Sequence, residues 1–139
     1  MASTLNPYLS FRENAREAMA FYQEVFGGEA TVSTFAEFGM ADAYPGEGEK
    51  VMHSQLVTPA GFTLMAADQP SSIPLPETSA ISVSLSGDDD AEMRGYWDKL
   101  SDGATIVEQL TQAPWGDQFG MLTDKFGVAW MVNISAATA

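Results

Sequence analysis

The chain has 139 residues, 45% hydrophobic and 18% charged, enough to bury one core without a disulfide or a metal. It has no cysteine and one histidine, His53, which excludes thiol catalysis, cysteine-bound zinc, iron–sulfur clusters and any site needing two histidines from one chain. Six basic against 19 acidic residues leave a formal charge of −13, so neither nucleic acid nor an anionic membrane surface is an expected partner.

The plain role of the acid excess is solubility. No stretch approaches the roughly 20 apolar residues of a membrane-spanning helix. The segment from Met1 to Pro7 lacks a basic region followed by an apolar one, so no signal peptide is expected and the cytoplasm is the expected compartment.

Tyr8-Leu9-Ser10-Phe11 alternates and reads as a strand. Asn14 with Glu17 three residues on predicts a capping box. Ala18, Phe21, Tyr22 and Val25 form one apolar helical face, ended by Gly27-Gly28. Ala30 to Phe35 reads as a strand and Gly39 to Lys50 as a loop. Val51 to Val57 and Phe62 to Ala67 read as strands joined by the turn Thr58-Pro59-Ala60-Gly61. Asp68 is expected to form a turn hydrogen bond.

Pro70, Pro74 and Pro76 mark residues 69–78 as a linker. Beyond it Ile81, Val83 and Leu85 alternate with serines as a strand. Asp88-Asp89-Asp90 supplies a helix cap, and Met93, Tyr96, Trp97 and Leu100 follow at helical spacing up to Gly103. Thr105 to Leu110, Phe119 to Thr123 and Val128 to Ile134 read as strands, with Trp130 in the core. The small, polar tail from Ser135 to Ala139 is expected to fray.

The two halves repeat. Phe21-Tyr22, Val25, Gly28 and Val32 recur at one offset as Tyr96-Trp97, Leu100, Gly103 and Val107. Gly61-Phe62-Thr63-Leu64-Met65 recurs as Gly127-Val128-Ala129-Trp130-Met131. A duplicated βαβββ unit accounts for both matches.

Two such units in one short chain resemble the vicinal oxygen chelate superfamily of glyoxalases, extradiol dioxygenases and bleomycin-resistance proteins. Pro7 to Phe11, Ala18 to Tyr22, Phe26-Gly27-Gly28, Val51-Met52-His53, Leu64 to Asp68, Trp115 to Gly120 and Thr123 to Met131 resemble its PhnB-like branch. The resemblance implies an α+β fold: two tandem βαβββ modules forming a curved mixed sheet around a shared cavity. Residues 1–139 would be one such domain, with module 1 at about 5–68, module 2 at about 79–134 and the linker 69–78 between them. Some members of this branch carry a ubiquinone-methyltransferase label, but no Gly-rich strand-to-helix loop of a methyl-donor site stands here.

In metal-dependent relatives, His or Glu ligands sit on the first and last strands of each module. The corresponding positions here fall near Asn6 or Tyr8, on Met65, near Ala80 to Ser82, and on Met131. None is His, Asp or Glu, so no metal and no other cofactor is expected. Relatives often place Arg where this chain has Gln118, which weakens the case for an anionic substrate.

If Leu9, Phe11 and Leu56 face the helix, then Tyr8, Ser10, His53 and Gln55 face the cavity. Met65 and Met131 would point the same way, with Thr63 and Asn133 beside them. An apolar concavity with a few polar groups is the usual make-up of a small-molecule site. In the loop Pro114 to Phe119, Trp115 and Phe119 are candidates to stack on a planar ligand, and Asp117 to accept a hydrogen bond from it.

The catalytic residue is left unassigned, with His53 the best candidate because histidine's ordinary pKa lies nearest neutrality. Two functions are consistent with this set. One is a metal-free binding protein for a small apolar or aromatic molecule. The other is an enzyme acting on a small carbonyl-type substrate, with His53 as acid/base or as a metal ligand. A homodimer is the expected assembly.

Overall fold

The computed structural model describes residues 3–75 and 79–136. It divides into two compact units, Met1–Glu77 and Thr78–Ala139. In the first, β1 (Tyr8–Phe11), α1 (Ala15–Phe26), β2 (Glu29–Thr34), β3 (Val51–Val57) and β4 (Thr63–Asp68) form a sheet of order β1-β4-β3-β2 with one helix. The β1–β4 pair is parallel and the others antiparallel.

The apolar face of α1 is wider than its periodicity predicts. Ala15, Met19 and Phe26 are buried along with Ala18, Phe21, Tyr22 and Val25. Against them lie Phe11, Leu56, Leu64 and Ala66. Gly27 carries a positive φ and donates its N–H to the Gln23 carbonyl at 2.7 Å, closing the helix. Gly28 is required by space as well as by φ: a Cβ there would lie 2.1 Å from the Val57 carbonyl oxygen.

The capping box does not form. Asn14 makes no side-chain cap hydrogen bond. The α1 terminus is held instead by Asp68, whose Oδ1 accepts from Ala15 N at 2.9 Å and whose Oδ2 accepts from Val51 N at 2.9 Å. Asp68 is therefore not a turn former; it is 2% exposed and ties the helix start to the start of β3. A carboxylate has the two acceptors this bridge needs, and local sequence does not reveal partners so far away along the chain.

The expected linker is built onto the first unit for part of its length. Gln69 N donates to Phe11 O at 2.7 Å. Arg12 donates to the carbonyls of Gln69, Pro70 and Ile73. Glu47, paired with Lys50, also accepts from Ser71 N. The remaining linker residues 76–78 lie outside the described residues. The loop before β3 is likewise shaped, with Ala36 N bonded to Gly48 O and Phe35 edge-on to Tyr44.

In the second unit, β5 (Val83–Gly87), α2 (Asp90–Leu100), β6 (Thr105–Gln112), β7 (Gln118–Thr123) and β8 (Ala129–Ile134) form a sheet of order β5-β8-β7-β6. This repeats the first unit's order and orientations: β5–β8 is parallel, β6–β7 and β7–β8 antiparallel. Ile81 is not part of β5; it stands before the strand, 76% exposed. Its alternation with Val83 is not matched by pairing, because the ladder with β8 starts at Val83.

Asp89 caps α2 by accepting from Glu92 N at 3.1 Å. Met93, Tyr96, Trp97 and Leu100 are buried with Leu85, Leu122, Trp130 and Val132. Gly120 lets the Trp97 ring lie on bare backbone, since a Cβ there would approach it to 2.7 Å. Asp124 Oδ2 accepts from Trp130 Nε1 at 2.8 Å, and its Oδ1 from Phe126 N and Val128 N, which closes the β7–β8 turn.

The C-terminal segment is held as far as Ala136. Ser135 N donates to Gly87 O and Ala136 N to Asp117 Oδ1. The rest of the tail expected to fray, residues 137–139, lies outside the described residues. Among the described residues no helix is long and apolar enough to cross a membrane.

Candidate functional site

Alternation along the strands sorts side chains between a face under the helix and a helix-free face. In the first unit, Tyr8, Met65, Gln55 and Thr31 stand in register across all four strands on the helix-free face. Ser10 and His53 lie on the same face, opposite Ala67 and Ser33 respectively. The structure thus brings five of the sequence-derived candidates together: Tyr8, Ser10, His53, Gln55 and Met65.

Two of these touch. The Tyr8 hydroxyl meets His53 Nδ1 at 3.4 Å, with ring centroids 5.9 Å apart. Partial burial pushes the Tyr8 phenol above its usual range, so this hydroxyl keeps its proton and remains a donor. Ser10 Oγ accepts from Gln69 Nε2 at 3.2 Å. His53, Gln55 and Met65 are each partly exposed, presenting an imidazole, an amide and a thioether side by side.

In the second unit, Ser84, Met131, Met121 and Glu108 form the corresponding row on the helix-free face. Ser86, Asn133, Phe119 and Thr111 form the next. Trp115 is 62% exposed and stands edge-on to Phe119, with centroids 5.6 Å apart. Asp117 has both oxygens engaged: Oδ1 by Ala136 N at 2.9 Å and Oδ2 by Asn133 Nδ2 at 3.1 Å. These bonds, the backbone one first, hold its carboxyl below the usual range. Asp117 therefore orients Asn133 and anchors the chain end. The four candidates Trp115, Asp117, Phe119 and Met131 belong to this second unit.

Several members of these faces escaped sequence reasoning, Met121, Thr31 and Glu108 among them. Met121 and Thr31 follow from alternation with Phe119 and Ser33, a signal present but unused. Glu108 was hidden by irregular register on both sides of it in β6. Arg94 also gains a role: it donates to Asp90 and to the Gln118 side-chain oxygen at 3.3 Å.

The register also moves one of the positions that the resemblance to metal-dependent proteins implies. Tyr8 pairs with Met65 as Ser84 pairs with Met131, so the fifth-strand position is Ser84 and not Ala80 to Ser82, which precede the strand. Hydroxyl and thioether groups at these four places do not fit a divalent cation. Among the described residues no three His, Asp or Glu side chains gather into a possible metal site.

Comparison with known proteins places this arrangement. Residues 3–133 match the family described as 3-demethylubiquinone-9 3-methyltransferase. The chain is 30% identical to Protein YjdN of Escherichia coli (strain K12) over 94% of each chain. It is similar to the crystal structure of protein PA1353 from Pseudomonas aeruginosa, with 35% identity, a TM-score of 0.84, and coverage of 96% of this chain and 98% of that one. It is also similar to a Bacillus cereus PhnB protein, described as a putative 3-demethylubiquinone-9 3-methyltransferase, at 26% identity and TM-score 0.75, covering 96% and 100%. A glyoxalase/bleomycin resistance protein/dioxygenase family enzyme from Burkholderia phytofirmans shares the fold at 14% identity and TM-score 0.62, covering 93% and 97%. Two α+β modules of this build share the glyoxalase-like fold.

Proposed function

The chain belongs to the PhnB-like 3-demethylubiquinone-9 3-methyltransferase family, and on that premise we propose that it binds a small apolar or aromatic molecule against the helix-free faces of its sheets. The observation that carries this reading is the row Tyr8–Met65–Gln55–Thr31 with His53 beside it. It offers apolar and hydrogen-bonding groups together on a partly exposed face, the composition small-molecule sites use. Trp115 and Phe119 add aromatic surface in the second unit.

The methyltransferase of the family's description is not carried over. The strand-to-helix connections are Arg12-Glu13-Asn14 and Asp88-Asp89, with no glycine and three acids. Backbone without glycine, lined by carboxylates, is a poor cradle for a nucleotide-like methyl donor.

A second reading rests on the Tyr8–His53 contact. With Nδ1 turned to Tyr8, the imidazole has Nε2 left for a substrate, and an acid/base step on a small carbonyl compound would use that nitrogen. The two readings separate by mutation. For a binder, Met65→Ala, in the row that carries the reading, weakens ligand-induced thermal shifts at least fivefold in half-saturating concentration, whereas His53→Ala changes them less than twofold. For an enzyme, His53→Ala abolishes turnover while thermal stability holds. If neither substitution moves any ligand-induced shift, both readings fall.

A further inference from the structure

We infer that the bound molecule carries no net negative charge: the helix-free faces are built for a neutral or cationic ligand and against an anion. The inference rests on the binding reading above and names its ligand class. The chain has six Lys and Arg residues, and all are accounted for elsewhere. Arg12 lies between β1 and α1 and donates to three carbonyls. Arg16 is on α1. Lys50 pairs with Glu47 in the loop before β3. Arg94 and Lys99 are on α2, and Lys125 sits in the β7–β8 turn near Asp102. None stands in the helix-free rows.

The fold's other usual anion sites, the two helix N-termini, already carry acids. An α-helix N-terminus attracts anions through its unpaired N–H groups and its dipole. At α1 the Ala15 N–H is taken by the Asp68 carboxylate, and at α2 the Glu92 N–H is taken by Asp89, with Asp88 and Asp90 adjacent. Each helix start thus has one N–H held by a carboxylate of the chain, whose charge opposes an incoming anion. Among the described strand residues the fixed charges on the helix-free faces are the Glu29 and Glu108 carboxylates, both negative. A sulfonate, phosphate or carboxylate brought to such a face would lose water without gaining a cationic partner or a free helix end.

The test uses two probes with the same anilinonaphthalene body: N-phenyl-1-naphthylamine, which is neutral, and 8-anilino-1-naphthalenesulfonate, which is anionic. Fluorescence titrations are run on the whole chain in dilute buffer and in about 0.5 M salt, where charge effects beyond several ångströms are screened. The neutral probe is expected to bind at least tenfold more tightly than the sulfonate in both buffers. Gln55→Arg, which puts a cation in the Tyr8–Met65–Gln55–Thr31 row, should raise sulfonate affinity at least tenfold. Thr31→Lys in the same row should do likewise, should the first variant fail to fold. Glu13→Gln makes the same change in net charge away from the face and should leave the ratio unaltered.

Sulfonate binding as tight as neutral binding in high salt would overturn the charge inference alone. So would selectivity that vanishes with salt, or that Glu13→Gln shifts as much as Gln55→Arg, since the cause would then be the net charge of the chain. Failure of both probes to bind would overturn the binding reading, and this inference with it.

Discussion

Replacing Asp68 by Ala removes a carboxylate that joins three elements of the first unit. Its two oxygens take the N–H of Ala15 at 2.9 Å and of Val51 at 2.9 Å, and all three residues are buried. Each orphaned buried N–H costs about 1–3 kcal/mol, so the loss is expected near 4 kcal/mol. At roughly 3 °C per kcal/mol for a chain of this size, the melting temperature should fall by about 12 °C. Asp68→Asn keeps one acceptor and turns an NH2 donor toward the second N–H, so it should lose at least half as much. The sign is diagnostic. The chain carries a net charge of −13, and if Asp68 acted only as one more negative charge, both substitutions would relieve repulsion and stabilise. Urea unfolding followed by far-UV circular dichroism, with the slope m compared between variants, gives the answer. A loss under about 1 kcal/mol in Asp68→Ala, or a gain in either variant, would refute the bridging role.

Gly28→Ala should be far worse than Gly61→Ala. Both glycines have positive φ, but an added Cβ meets the Val57 carbonyl at 2.1 Å at the first and open space at the second. Gly61→Ala then costs about 1–2 kcal/mol of backbone strain, and Gly28→Ala should cost clearly more; equal losses in chemical denaturation would contradict the close approach. Tyr96 should stay protonated well past an ordinary tyrosine, since burial and then its hydrogen bond to Glu92 push its phenol up to about 12. Folded and unfolded chains are alike in this group below pH 10, so its effect appears only above: the unfolded phenol ionises first and stability falls between pH 10 and about 12. Absorbance titration of Tyr96→Phe against the parent checks this; an identical high-pH phase in both would count against it.

The sequence was most readable where period and repetition coincide. Val51–Val57 was delimited by its β-branched ends and the following Pro-Gly turn, and the second unit was predictable because Tyr96-Trp97 and Leu100 echo Phe21-Tyr22 and Val25. Alternation alone also sorts Tyr8, His53, Gln55 and Met65 onto one face, as the strand register has them. Long-range polar contacts were not readable. Asn14 carries the local signature of a cap, yet the bond at Ala15 goes to Asp68, far along the chain. Arg12 likewise has no local signature of its three carbonyl partners, which lie beyond β4. Ile81 obeyed the alternation of β5 but lies before its ladder begins. A local pattern reports the preference of a segment, while register and tertiary acceptors decide whether that preference is used.

The most direct measurement of the binding reading is a ¹H–¹⁵N correlation spectrum of the chain titrated with N-phenyl-1-naphthylamine. The account predicts saturable shifts at the amides of Tyr8, Gln55, Met65 and His53, with the exposed side of α1, at Arg16 and Gln23, unmoved. Shifts centred on the helices, or no saturable shifts at all, would contradict it.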